Sequence, residues 1–279
     1  MIVRIVALAA LVALLPCVSG AAGTGHAPAR RIVSLIPSLT EDLFAVGAGD
    51  RVVGVSEYSD YPPQAKRLPV VSSFASIDAE RIVALHPDVV VAIPSQQNLA
   101  GDIARAGIRV AFFRDDSLAD VYANLHAIGE LVGRTAQADA VIAHLRSQTQ
   151  ELKHSRPQRA RRPSVFVVLG TAPIFTVGRG SYISSLLALA GAKNAAEDVR
   201  APYARYSAEA LVARQPDALI VDPDVRLNEV AAEPPWSALR AVREGRVFVL
   251  PDAAILERPG PRYNEGLAWL IATLARVPT

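Results

Sequence analysis

An internal repeat constrains this chain more than any other sequence feature. The segment Phe74–Asp88 matches Tyr203–Asp217 without a gap, at a constant offset of 129 residues. Seven positions are identical in the two copies, and in each copy an apolar run follows and ends near a proline. A repeat with a constant offset indicates two structurally equivalent lobes. The identical pairs are Ala75 and Ala204, Ala79 and Ala208, Glu80 and Glu209, Val83 and Val212, Ala84 and Ala213, Pro87 and Pro216, and Asp88 and Asp217.

Short apolar runs alternate with amphipathic stretches on both sides of a long uninterrupted segment. Alternating strands and helices predict an α/β fold with mainly parallel sheets. Thr135 to Arg156 has neither Gly nor Pro and repeats apolar residues at helical spacing, which predicts one long helix. We therefore expect an N-terminal lobe over residues 30–134, a linking helix over 135–156 and a C-terminal lobe over 163–279. In the first lobe, Ser38 is predicted to cap a helix.

Two lobes of similar fold leave a crevice between them. The carboxyl ends of parallel strands and the loops beyond them face such crevices, where ligands commonly bind. The geometry of two such lobes alone therefore predicts a ligand cleft between them.

The first residues have the pattern of an export signal. A basic start at Arg4 precedes the apolar run Ile5 to Leu15, and small residues follow at positions 18–23. This order is typical of a secretory signal peptide, assigned here to residues 1–22, and predicts a periplasmic location. Cys17 is the sole cysteine, and a lipid anchor on it is the alternative to simple cleavage. Pro16 before it fits a lipobox poorly.

The chain lacks the sequence motifs of common enzyme classes. No G-x-S-x-G elbow, Walker A motif or H-E-x-x-H pair is present, and the five histidines are scattered. We expect no enzymatic activity, no catalytic cofactor and no bound metal ion. A net charge of +2, from 29 basic and 27 acidic residues, gives no electrostatic footprint for nucleic acid. A monomer is expected.

Several motifs between residues 30 and 275 resemble those of periplasmic receptors for cobalamin, haem and siderophores, and of the vitamin B12 branch in particular. The run Tyr58 to Ala65 is the most specific to that branch. The motifs are Arg31-Ile-Val-Ser-Leu-x-Pro-Ser-x-Thr-Glu41, Val53-Gly-Val-Ser, Tyr58-Ser-Asp-Tyr-Pro-Pro-Gln-Ala65, Glu80-Arg-Ile-Val-Ala-Leu-x-Pro-Asp88, Pro173-x-Phe-Thr-x-Gly178 and Glu257-Arg-x-x-Pro-Arg262. The resemblance implies a solute-binding protein that delivers its ligand to an ABC importer through a rigid helical hinge.

The resemblance also implies roles for particular residues. Glu80 and Glu209 match two carboxylates, one per lobe, that dock on arginines of the membrane permease. Each is also predicted near a helix N-terminus, after Asp78 or Ser207, where a glutamate is favoured in any case. The ligand-binding positions implied are Tyr58, Phe74, Ile93, Phe175, Tyr203, Ile255 and Arg258.

Cobalamin or a related corrinoid is the first expectation for the ligand, and haem or a ferric siderophore is the alternative. Ile93 and Ile255 occupy positions where the B12 branch has aromatic residues, so the cleft has two fewer flat aromatic rings to contact a ligand. A haem receptor of this family presents Tyr or His to the iron, and Tyr61 or Tyr203 is the candidate here.

Overall fold

The computed structural model describes residues 27–73 and 75–278 of the 279-residue chain. The predicted signal peptide, Cys17 and Phe74 lie outside the described residues. Two parallel sheets form the centres of two lobes, which confirms the predicted α/β class. The predicted lobe boundaries, 30–134 and 163–279, stay predictions.

The first lobe carries five parallel strands in the order β3-β2-β1-β4-β5. Val, Ile and Ala dominate β1 and β4, which lie buried at the centre of the sheet. Its elements are β1 (Ile32–Ser34), α1 (Pro37–Ala45), β2 (Val52–Ser56), β3 (Val70–Ser72), α2 (Ala79–Ala84), β4 (Val89–Ala92), α3 (Gly101–Arg105), β5 (Arg109–Phe112) and α4 (Leu118–Leu131).

The second lobe has a four-stranded parallel sheet in the order β12-β11-β6-β9 and a separate antiparallel ribbon, β10-β8-β7. The sequence did not predict this ribbon. Its elements are β6 (Ser164–Val168), β7 (Gly170–Thr171), β8 (Ile174–Val177), α6 (Tyr182–Leu189), β9 (Lys193–Asn194), β10 (Tyr203–Arg205), α7 (Ala208–Arg214), β11 (Ala218–Val221), α8 (Leu227–Val230), α9 (Arg240–Arg243), β12 (Val247–Val249), α10 (Ala254–Glu257) and α11 (Tyr263–Leu274). The long segment between the lobes is helical as predicted, and we label it α5 (Thr135–Ser155).

The two parallel sheets are equivalent. In strand order, β5-β4-β1-β2 corresponds to β12-β11-β6-β9. The repeated Asp residues make equivalent contacts, because Asp88 accepts hydrogen bonds from the backbone N–H groups of Arg30 and Arg31, and Asp217 accepts one from Ser164. Each carboxylate therefore ties the start of the strand after its repeat, β4 or β11, to the start of the central strand.

A shared backbone irregularity strengthens the equivalence of the two copies. His86 has φ 45° and Gln215 has φ 44°, and they are related by the repeat offset. Left-handed backbone is costly for residues other than glycine, so its recurrence at matched positions reflects a common local structure. In both copies this residue follows the helix and directly precedes the Pro-Asp pair.

One hydrophobic cluster spans both lobes. It includes Leu39 and Leu125 of the first lobe, Leu145 of α5, and Val165 and Leu267 of the second. In addition, the buried Thr149 of α5 donates a hydrogen bond to the buried Asn264 of α11 over 2.9 Å. The linking helix α5 therefore packs against the second lobe through apolar contacts and hydrogen bonds.

One prediction about α1 is wrong. The helix begins at Pro37, so Ser38 lies inside it and does not cap it; the N-cap position is Ile36, with no side-chain hydrogen bond. Proline is well suited to the first position of a helix because its fixed φ is already helical and its missing N–H is not needed.

Candidate functional site

The candidate ligand site lies where the carboxyl ends of the two sheets meet. Loops after β4 and β5 come from the first lobe, and loops after β6 and β11 come from the second. Because parallel strands present their following loops at one edge, residues distant in sequence converge there.

Tyr203, on the ribbon strand β10, has carboxyl groups from both lobes around it. Burial raises its pKa to about 12, and the charges of Asp115, Glu257 and Asp116 add to the effect. Asp115 and Asp116 follow β5 in the first lobe, whereas Glu257 ends α10 in the second. The hydroxyl of Tyr203 thus stays protonated in an acidic setting that spans the cleft.

The carboxyl groups in this set differ in their ionisation. Burial, together with the charge of Asp116, raises the pKa of Asp115 to about 6. Burial and the neighbouring Asp222 and Asp224 raise the pKa of Glu257 to about 8. At neutral pH Asp115 is therefore mostly a carboxylate that accepts hydrogen bonds, and Glu257 is mostly a neutral acid that can also donate one.

A second polar network joins the lobes. Glu41 of α1 is 2% exposed and accepts two hydrogen bonds from Arg262, at 2.9 and 2.7 Å. Arg258 donates to Glu41 over 3.3 Å and to Asp60 over 2.6 Å. The guanidinium of Arg262 also lies 4.0 Å from the centre of the Tyr61 ring. We call Glu41, Asp60, Arg258 and Arg262 the inter-lobe ion network.

The predicted aromatic residues are available to a ligand. Tyr58 is 60% exposed, Tyr203 44% and Phe175 36%. Phe175 of β8 pairs with Arg205, so alternation along β10 puts Phe175 and Tyr203 on the same face of the ribbon. At this exposure Phe175 is not a core residue.

The other predicted ligand positions lie in different surroundings. Ile93 is buried within the core cluster, and Ile255 is partly buried on α10. Arg258 is engaged in the inter-lobe ion network. Phe74 falls outside the described residues.

The carboxyl groups of the cleft were not predicted from the sequence. A signal existed, because Asp115 follows an apolar strand in Phe112-Phe-Arg-Asp-Asp116, and Asp222 follows another in Val221-Asp-Pro-Asp224. Acidic residues just past the ends of parallel strands are candidates for any cleft between the sheets.

Glu80 and Glu209 lie in equivalent first turns, on α2 and α7. The predicted N-caps form, since Asp78 accepts a hydrogen bond from the Arg81 N–H and Ser207 accepts one from the Ala210 N–H. Both glutamates are exposed, and no ion pair joins either one to another described residue. The Ser207 hydroxyl donates to Glu209 over 2.6 Å and keeps the pKa of that carboxyl below its usual value.

Within residues 27–73 and 75–278, no group of three or more His, Cys, Asp and Glu side chains is arranged to hold a metal ion. Among the helices described, none has both the length and the hydropathy to cross a bilayer. Beside Phe175, the second lobe has a cavity of about 590 Å³ that Pro173, Arg205 and Asp224 also line.

Comparison with known proteins gives a consistent family match. A model of the periplasmic binding protein family matches residues 32–254. An ABC transporter substrate-binding lipoprotein of Bacillus subtilis is 31% identical over 88% of this chain and 80% of its own length. A vitamin B12-binding protein of Pectobacterium carotovorum is 33% identical over 70% of this chain and 72% of its own.

One similar solved structure is named for a different ligand, heme. The periplasmic heme-binding protein of Roseiflexus superposes with a TM-score of 0.78 at 28% identity, over 88% of this chain and 97% of that one. Relatives with different ligands thus share this fold, so the choice of ligand depends on the side chains of the cleft.

Proposed function

We propose that this chain, which belongs to the periplasmic binding protein family, captures cobalamin or a related corrinoid between its lobes and delivers it to an ABC importer. The observation that carries the choice of ligand is that the exposed rings of Phe175 and Tyr203 share one face of the ribbon, where carboxyl groups of both lobes act electrostatically on Tyr203. The vitamin B12-binding relatives support the same ligand.

The chemistry of the cleft suits a ligand edged with neutral hydrogen-bond donors. A corrin ring carries amide side arms, whose NH₂ groups donate, whereas haem carries two propionate carboxylates. An ionised Asp115 attracts an amide donor and repels a propionate. Glu257, as a neutral acid, can donate to an amide carbonyl on the opposite side.

Burial raises the pKa of Tyr203 to about 12, so its side chain is a neutral phenol in the metal-free cleft. In that form Tyr203 offers an apolar ring to the ligand, and Tyr58 and Phe175 offer two more.

Calorimetry with cyanocobalamin tests the proposal. We expect binding at micromolar ligand, and Asp115→Asn should weaken it at least tenfold, because a hydrogen bond to a charged group contributes about 1.5–3 kcal/mol. Asp102→Asn, which neutralises an exposed carboxylate on α3, is the matched control and should leave affinity unchanged. If micromolar cyanocobalamin gives neither heat nor co-elution, cobalamin is not the ligand.

The alternative function is a receptor for haem or a ferric siderophore. It is favoured by the heme-binding structural neighbour and by the exposed ring of Tyr61. Haem added to the protein would then give a Soret band that survives gel filtration and shifts in Tyr61→Phe. A stable Soret band together with no cobalamin binding would reverse the order of the two proposals.

Delivery to the importer is proposed to use Glu80 and Glu209. They are exposed, equivalent and one to a lobe, which suits two arginine-bearing permease subunits. Glu80→Arg with Glu209→Arg should abolish uptake in cells and leave ligand affinity in solution unchanged. Normal uptake by this variant would refute the docking role. The proposal includes export by residues 1–22, a periplasmic location and action as a monomer.

A further inference from the structure

A second cavity in the molecule lies away from the cleft and is basic. It has a volume of about 630 Å³ and is lined by the last turn of α5, the segment after it, and the C-terminal ends of α6 and α11. Lys153, Arg156, Arg159 and Arg162 contribute cationic side chains, and no Asp or Glu of residues 27–73 and 75–278 lines it. We call these four residues and their cavity the basic pocket.

The three arginines are held in place by helix ends. Arg156 donates to the Leu189 carbonyl, and Arg159 donates through both terminal nitrogens to the Leu274 and Val277 carbonyls. Arg162 donates to the Ala192 carbonyl. These bonds fix the guanidinium groups at the ends of α6 and α11.

The partial negative charges at the helix ends do not neutralise the four cationic side chains. Each helix C-terminus carries roughly half a negative charge, so α5, α6 and α11 together contribute about −1.5 and the four cationic side chains leave an excess of about 2.5 positive charges. Among residues 27–73 and 75–278, no carboxylate pairs with any of the four. The pocket therefore has more positive charge than the described residues neutralise.

Hydrogen-bond donors also remain unused. A guanidinium has five N–H groups, and Arg156 and Arg162 each use one in these contacts, while Arg159 uses two. Lys153 makes no side-chain hydrogen bond to a described residue, and its ammonium has three donors. Planar guanidinium groups with an adjacent ammonium match the oxygens of a phosphate.

We propose that the basic pocket binds a phosphate-bearing anion. The pocket adjoins Arg162 and Pro163, which precede β6, whereas the ligand cleft follows the carboxyl ends of the same strands. The two sites lie at opposite edges of the sheet in the second lobe. Occupation of one therefore does not block the other, and the inference stands whether or not the cleft binds a corrinoid.

Pyrophosphate is the probe, titrated calorimetrically into the full chain at about 0.15 M salt, where exposed charges are screened beyond about 8 Å. We expect saturable binding below millimolar concentration, weakened at least tenfold in Lys153→Gln with Arg156→Gln. The matched control, Lys66→Gln with Arg67→Gln, removes two exposed charges from the first lobe and should change affinity less than twofold.

The outcomes decide the proposal. No heat from the wild-type chain at millimolar pyrophosphate, or an equal loss in the control pair, overturns it. If the double variant melts early, Lys153→Gln alone replaces it, and unchanged affinity in that variant also counts against the site.

Vesicles of equal parts phosphatidylglycerol and phosphatidylcholine identify the source of the phosphate. Co-sedimentation that pyrophosphate displaces and that the double variant lacks assigns the pocket to a lipid headgroup. Pyrophosphate binding without vesicle binding assigns it to a soluble phosphate compound.

Discussion

Replacing Arg262 by alanine tests whether the inter-lobe ion network stabilises the fold. Arg262 makes two of the three contacts that the structure gives to the Glu41 carboxylate, which is 2% exposed. In Arg262→Ala only Arg258 remains, at 3.3 Å. The next residue, Asp42, makes no hydrogen bond to Glu41, because neither of its carboxyl oxygens has a partner among the described residues.

The expected cost follows from leaving a buried charge nearly unpaired. Removing one partner of a buried ion pair costs about 3–5 kcal/mol, whereas replacing both partners by apolar residues is often nearly neutral. At about 2–4 °C per kcal/mol for a chain of this size, the melting temperature should fall by about 6–20 °C. The double change Glu41→Leu with Arg262→Leu should recover much of that loss.

Differential scanning calorimetry and guanidinium unfolding measure the change. The matched control is Arg226→Ala, which breaks an exposed pair with Glu229 at 3.2 Å and should cost at most about 1 kcal/mol. If Arg262→Ala melts within about 2 °C of the wild-type chain, the network contributes little to the stability of the fold. If the double leucine variant is less stable than Arg262→Ala, the charge-burial explanation is wrong.

Three other sets of variants test the fold and the cleft by urea unfolding. His86→Gly should raise the free energy of unfolding by about 0.5–1 kcal/mol, since glycine relieves the strain of a left-handed backbone. Gln215→Gly should lower the free energy of unfolding, because the Gln215 side chain hydrogen-bonds the backbone of Val212, Ala238 and Arg240. Asp88→Ala and Asp217→Ala should each cost about 1–3 kcal/mol by leaving strand N–H groups unpaired; a neutral result at both would contradict the shared role. The pKa of Glu257 is about 8 in the folded state, above its unfolded value, so the folded state binds the extra proton. The free energy of unfolding should therefore fall as pH rises from about 5 to 8. Glu257→Gln should flatten that pH dependence, and an unchanged slope would refute the assignment.

Most of the fold that could be predicted from the sequence was predicted from the internal repeat. A helix followed by Pro-Asp and an apolar strand is local information, and local information was enough to predict the equivalence of β4 with β11. The roles of Asp88 and Asp217 were not foreseen, although the residues were identified as repeated. Their partners, Arg31 and Ser164, lie more than 50 positions away in sequence, so only the folded sheet reveals the contact.

The antiparallel ribbon escaped prediction for a different reason. Strands β7 and β10 have two and three residues, and Gly170 and Pro173 interrupt the local pattern. Runs this short carry too little periodicity to be distinguished from loops. The ribbon matters because it brings Phe175 and Tyr203 to one face.

The aromatic positions proposed for the site could be chosen from the sequence, whereas the ionisation of its carboxyl groups could not. Exposed aromatic residues at Tyr58, Phe175 and Tyr203 are properties of single positions, and a family motif can locate them. The ionisation of Asp115 and Glu257 is a property of their burial and neighbours, which come from other parts of the chain. No local pattern encodes such a shift.

Arg258 shows how one side chain can belong both to the fold and to the cleft. Its bond to buried Glu41 fixes the guanidinium between the lobes, whereas its other partner, Asp60, has a side chain that is 51% exposed. Burial alone would raise the pKa of Asp60, but the hydrogen bond and charge of Arg258 outweigh it and keep that pKa below its usual value. A ligand carbonyl can replace the exposed Asp60 at Arg258 at less cost than it can replace Glu41, because Asp60 regains water and Glu41 does not. Arg258 can therefore contact a ligand, as expected, by giving up its bond to Asp60 while it keeps its buried bond to Glu41.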